Sequence, residues 1–188
     1  PKVAARYGVD DPKYAYDGPP KMVRNFLVAR RLAEAGARVA TPNFSRWDWH
    51  GTANFLNFKR AKEDVPMLDK GLAALFTDLH ERGLDKNIAV VVWGEFGRTP
   101  RINELKGRDH CPNAFSIAMA GAGLKVGQTI GATDKQAGFV TDRPSTPADM
   151  AATILHTLGI DHTKVMHTPL GRPVRLVDGG NPVTELFG

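Results

Sequence analysis

Four residues of the types that hold a divalent metal each sit in a short motif bounded by glycine. Asp48 and His50 lie in Trp47-Asp-Trp-His-Gly51, Glu95 in Gly94-Glu-Phe-Gly-Arg-Thr-Pro100, and His110 in Gly107-Arg-Asp-His110. In an extended backbone, residues i and i+2 point the same way, which would put Asp48 and His50 on one side and Trp47 and Trp49 on the other. A carboxylate oxygen and an imidazole nitrogen so placed can share one metal at roughly 2.0–2.2 Å. For an isolated Asp-x-His pair, a polar loop with a solvent-exposed histidine is the simpler reading. Here the pair follows a predicted strand, as Glu95 does, and His110 adds a third ligand type after a loop of moderate length. Ligands of open α/β sheets bind just beyond the carboxyl ends of strands, where all three segments could converge.

The elements that must position these residues are read from periodicity. Ile88 to Trp93 is a short, continuous apolar run closed by Gly94, the pattern of a buried strand, central in a parallel sheet. Met22 to Ala35 carries apolar residues at helical spacing and ends at Gly36. Arg38 to Phe44 reads as a strand ended near Pro42. Asp64, with Pro66 just inside, reads as the start of a helix whose face Val65, Leu68, Leu72, Leu75, Phe76 and Leu79 runs to Gly83. Ala114 to Ala120 is a further apolar strand, ending in Gly121-Ala-Gly123, a turn too short to cradle a phosphate. Thr146-Pro-Ala-Asp149 resembles a capping box and launches a helix through Leu158 to Gly159. A short strand near Val174 to Val177 and a turn from Asn181 to Phe187 follow. The first 20 residues, rich in Pro and Tyr, read as irregular, and the acidic pair Asp10-Asp11 there as surface loop. Strands and helices alternate, so the expected class is α/β: a mostly parallel sheet with helices on both faces.

Composition narrows the function. The chain has 188 residues, enough to bury a core as one domain, with 42% hydrophobic and 24% charged residues. No apolar stretch approaches the ~20 residues needed to cross a bilayer. The formal charge of +5 is dispersed, and Arg30-Arg31 alone is no nucleic-acid footprint. Pro1 and the residues after it lack an initiator Met and a signal-peptide design, so a mature domain or a fragment of something longer is expected. A single cysteine, Cys111, excludes an internal disulfide and a multi-cysteine zinc site. Adjacent to His110 it reads as a structural thiol, because nucleophile and base usually come from distant positions. Arg98 and Arg108 suit sulfate or phosphate oxygens; Arg98 equally suits a bond to Glu95 or to loop carbonyls. His80, His156, His162, His167 and Asp134 carry only structural or turn readings. Ligands that are all histidine and carboxylate favour Zn²⁺ or Mn²⁺, while Ca²⁺ prefers fewer nitrogens, and zinc is the first choice.

The motifs Asp48-Trp-His-Gly51, Gly94-Glu-Phe-Gly-Arg-Thr-Pro100 and Gly107-Arg-Asp-His110 together resemble a bacterial domain-of-unknown-function family, fifteen-oh-one, which is sulfatase-like within the alkaline phosphatase superfamily. Ala29 to Gly36, Ala120 to Gly127, Asp149 to Asp161 and Gly171-Arg-Pro173 extend the resemblance over nearly the whole chain. It implies the superfamily's mostly parallel sheet, here its C-terminal half. It also implies a metal-dependent hydrolase of small-molecule or polymeric sulfate or phosphate esters, exported or periplasmic, with a Ser, Thr or Cys-derived nucleophile. Asp48, His50 and His110 resemble the first metal site, and Glu95 stands where the superfamily has a second-site Asp. Phe96 departs from the His common at the next position, and Asp48 and His50 are closer in sequence than is usual. Nothing in residues 1–40 resembles the superfamily's nucleophile strand, which is expected upstream. The alternative expectation is a non-catalytic metal-binding or structural module of the same fold.

Overall fold

The computed structural model describes residues 2–8, 21–51 and 56–188, which form two units. One contains residues 1–88 and 98–112, the other 89–97 and 113–188.

The first unit is built on three helices that contact one another pairwise: α1 (Lys2–Tyr7), α2 (Arg24–Glu34) and α3 (Asn57–Glu81). Helix α2 lies within the span its periodicity predicts, buries Phe26 and Arg30, and ends where Gly36 takes a φ of +102°. Helix α3 buries Gly71, Ala74, Leu75 and Leu79 along one face. Gly71 is required there, because a Cβ would run into the Phe26 ring. The core of this unit is part charged. Asp78 is 2% exposed and accepts from Tyr7 Oη at 3.2 Å, Arg30 Nε at 2.9 Å and Arg82 Nε at 2.8 Å. Asp64, fully buried, pairs with Lys21 and accepts from Ser45.

Three sequence expectations change in this unit. Helix α3 starts at Asn57, not Asp64, and carries Pro66 in its interior. Asp64 there is a buried anchor rather than a cap, so the strongest start signal in the segment belongs to a tertiary contact. Residues 38–44 form no strand. Lys2–Tyr7 is helical within the stretch expected to be irregular, while Asp10 and Asp11 lie outside the described residues.

The second unit corrects the fold class. Strand β1 (Ala89–Val92) pairs antiparallel with β4 (Ala118–Gly121), with Val90 opposite Ala120 and Val91 opposite Met119. β5 (Ala132–Thr133) pairs with β6 (Val140–Asp142), and β7 (Val165–His167) with β8 (Pro173–Arg175), again antiparallel. Among the described residues each sheet has two strands, so the mostly parallel sheet covered by helices on both faces is not what this chain forms. A short apolar run does not encode the direction of its partner, and every residue of β1 is only half-buried, where a central parallel strand would be enclosed. Helix α4 (Pro147–Thr157) does follow its sequence signals. Thr146 Oγ1 accepts from the Asp149 backbone at 3.2 Å, and Asp149 accepts from the Thr146 backbone N–H at 2.7 Å, a complete capping box. Asp149 also accepts from Asn181 N and Thr153 Oγ1 from Val183 N, which seats the C-terminal segment on α4.

Candidate metal centre

The loop from Phe44 to Gly51 is not extended. Ser45 and Trp47 take φ values of +58° and +64°, and Trp49 N–H donates to Trp47 O at 3.0 Å, closing a tight turn around Asp48. Left-handed backbone at two non-glycine residues has a cost, offset here by their surroundings. Trp47 Nε1 donates to Phe44 O, its ring lies 5.2 Å from that of Trp49 and 6.2 Å from Phe44, and Trp49 is buried. Asp48 and His50 thus share a side, as their spacing predicts, through a turn rather than a strand. The two tryptophans anchor the turn.

A second loop, residues 99–109, brings His110 to the same place. It is closed by β2 (Gly97–Arg98) pairing with β3 (His110–Cys111), and by Thr99 N donating to Asp109 O at 2.9 Å. The two loops meet at backbone contact. A Cβ on Gly51 would collide with Leu105 O and Gly107 N, and one on Gly107 with the His50 carbonyl. The two glycines that frame the sequence motifs are there because nothing larger fits.

The outcome is one carboxylate oxygen between two imidazoles. Asp48 Oδ1 accepts from His50 Nε2 at 2.8 Å and from His110 Nε2, 62 residues away, at 2.9 Å. The rings are 4.6 Å apart. The His110 and His50 hydrogen bonds, in that order, hold the Asp48 carboxyl down to about 2. The three side chains are 45%, 34% and 44% exposed, open enough for exchange with solvent. Among the described residues, Asp48, His50 and His110 are the group whose potential ligand atoms lie close enough for one ion, all within 4.8 Å of one another. Two nitrogens and one oxygen, with no thiolate, match a zinc-type donor set.

The other site residues are placed differently. Glu95 is an exposed residue of the second unit and not a member of this group. Arg98 takes the loop-bracing option: Nη2 donates to Trp47 O at 2.6 Å and Nη1 to Arg108 O at 3.3 Å. Its Nη2 is also 3.6 Å from Asp48 Oδ1, and its Nη1 3.4 Å from His50 Nε2. That nitrogen cannot accept from the guanidinium while it donates to Asp48. Arg108 donates to Thr99 O at 2.7 Å and Pro100 O at 2.5 Å, with its guanidinium carbon 5.8 Å from the Phe58 ring centre. Cys111 is buried, as a structural thiol would be. Sequence reasoning missed Asn57, whose Oδ1 accepts from Arg108 N at 3.0 Å, and it missed Asn103 and Asp109. The available signal for Asn103 and Asp109 was their place as polar residues in the short loop that carries His110; Asn57, the first residue of α3, carried none.

The model of a family described as Protein of unknown function (DUF1501) matches residues 1–187. No curated protein and no solved structure matches the chain.

Proposed function

The chain belongs to the DUF1501 family, and on that premise we propose that Asp48, His50 and His110 hold a divalent metal, zinc first, in a sulfatase-like hydrolase of sulfate or phosphate esters. The observation that carries this reading is the convergence of a carboxylate and two imidazole nitrogens, from segments 62 residues apart, on one partly open spot. A metal bound there supplies Lewis-acid polarisation of an ester oxygen and lowers the pKa of an attacking group. The chain's own contributions are narrower. Asp48, His50 and His110 supply the donors, and Arg98 fixes the turn that presents Asp48 by holding Trp47 O.

Neither Ser45 nor Cys111 serves as nucleophile in this reading. Both are buried, and the Ser45 hydroxyl is turned to Asp64. This proposal takes the nucleophile from another segment of the protein, as the resemblance implies, and includes export from the cytoplasm. The test is metal content of the purified protein by elemental mass spectrometry, followed by hydrolysis of p-nitrophenyl sulfate and phosphate. Near-stoichiometric zinc or manganese, lost in Asp48→Ala and His110→Ala, supports the site; unchanged metal in both variants overturns it.

One observation favours a second reading, a non-catalytic module. Arg46 and Arg98 approach Asp48 to 3.8 and 3.6 Å, so the carboxylate already has cationic neighbours, and both Arg98 and Arg108 are bound to backbone carbonyls. In that reading Asp48 is the counter-ion that ties the two loops. It predicts loss of stability, and no loss of metal, in Asp48→Ala.

A further inference from the structure

We infer that Asn103 is a positioning residue for the metal centre, acting on His50 directly and through Asp109; this rests on the metal-binding reading above.

The Asn103 amide uses its whole bonding capacity. Nδ2 donates to His50 O at 3.1 Å and to Asp109 Oδ1 at 2.9 Å, while Oδ1 accepts from Leu105 N at 3.1 Å and Gly107 N at 2.9 Å. Its backbone N–H donates to Gly107 O at 2.9 Å. The acceptor half shapes the loop that carries His110. The donor half reaches 53 residues back to the backbone of His50 and also holds the carboxylate of Asp109.

That carboxylate matters because of where it faces. Asp109 Oδ1 lies 3.8 Å from His50 Nδ1, too long for a hydrogen bond but the nearest approach of an acceptor to that nitrogen among the described ion pairs. A histidine that gives Nε2 to a metal carries its ring proton on Nδ1, and a carboxylate there fixes the ring and raises its basicity. Asp109 is 59% exposed and would swing into solvent without a tether. Asn103 is the tether. The Gly51–Gly107 approach sets the spacing of the two loops, and Asn103 sets the orientation of the ring that one of them carries.

The two halves of the amide can be separated. Asn103→Asp keeps the acceptor that Leu105 and Gly107 use and removes both donors. Its added charge attracts a cation but also repels the Asp109 carboxylate that the amide holds at 2.9 Å, so this variant is read by the Co²⁺ band beside Asn103→Ala rather than by affinity alone. Asn103→Ala removes both halves, and Asp109→Ala removes the carboxylate alone from an exposed position. The probes are Zn²⁺ affinity by competition with a chromophoric chelator and the visible absorption of the Co²⁺-loaded protein, with far-ultraviolet circular dichroism as the fold control. Asn103→Ala and Asp109→Ala should bind Zn²⁺ about tenfold or more weakly, and all three variants should shift or weaken the Co²⁺ band while the circular dichroism stays native. Wild-type affinity in natively folded Asn103→Ala, with an unshifted band in it and in Asn103→Asp, would overturn the role of Asn103 and leave the metal site standing. A wild-type protein that takes up neither ion would overturn both.

Discussion

Two aspartates of the first unit each gather several polar partners, and they do opposite things with them. Asp78 is buried, and its partners Arg30, Arg82 and Tyr7 come from three helical segments. Burial pushes its carboxyl up; the Arg82 hydrogen bond, the Arg30 and Arg82 charges and the Tyr7 hydroxyl outweigh that and leave it lowered. Burial and the neighbouring Asp78 in turn push Tyr7 up to about 12. Asp48 is open, and its closest partners are two imidazoles that share one oxygen. A guanidinium can never give up its proton to a metal, whereas a neutral imidazole can present a lone pair. The same carboxylate is a structural node in one setting and, in the metal-binding proposal, an exchangeable one in the other. Burial and partner type decide which.

The largest effect should come from breaking the buried node. Asp78→Ala leaves Arg30 without its buried counter-ion and should cost about 3–5 kcal/mol in urea unfolding. A change below about 1 kcal/mol would dissolve the contrast with Asp48, whose exposed pairs are worth at most about 1 kcal/mol each. Next, Gly107→Ala forces a Cβ against the His50 carbonyl and should destabilise by about 1–3 kcal/mol, weakening metal uptake as well. If metal uptake survives intact, the backbone contact between the loops is not what sets the site.

The pH dependence sharpens the same comparison. Because the Asp78 carboxyl is lowered in the folded state, its contribution is fully present above the unfolded value near ~3.9 and is lost as pH falls through the folded value. Acid titration of wild type against Asp78→Asn should therefore show the stability difference shrinking below about pH 4. A difference independent of pH would mean that the Asp78 charge contributes nothing. The smallest effect belongs to the second unit. Thr146→Ala removes one half of the α4 capping box and should cost about 1 kcal/mol, with metal uptake unchanged.

What the sequence made legible follows from where the information is local. Helix α4 and the body of α2 were readable because their caps and apolar stripes lie within the elements themselves. The start of α3 was not, since Asp64 and Pro66 imitate a helix start while Asp64 in fact answers Lys21 and Ser45 from elsewhere in the chain. Strand β1 was readable as a strand, but its partner and direction were not, because pairing is decided by β4 about thirty residues later. Motif and resemblance anticipated a convergence of Asp48, His50, Glu95 and His110, of which Asp48, His50 and His110 form the group and Glu95 is not a member. The means of convergence was missed: a left-handed turn at Trp47, two glycines at backbone contact, and an asparagine whose partners are named by no local pattern.

The most direct test of the account is the metal content of wild type beside Asp48→Ala and Asp78→Asn, measured on folded protein. The account predicts near-stoichiometric zinc or manganese in wild type and in the folded fraction of Asp78→Asn, and none in Asp48→Ala. Metal retained by Asp48→Ala, or absent from folded wild type, would contradict it.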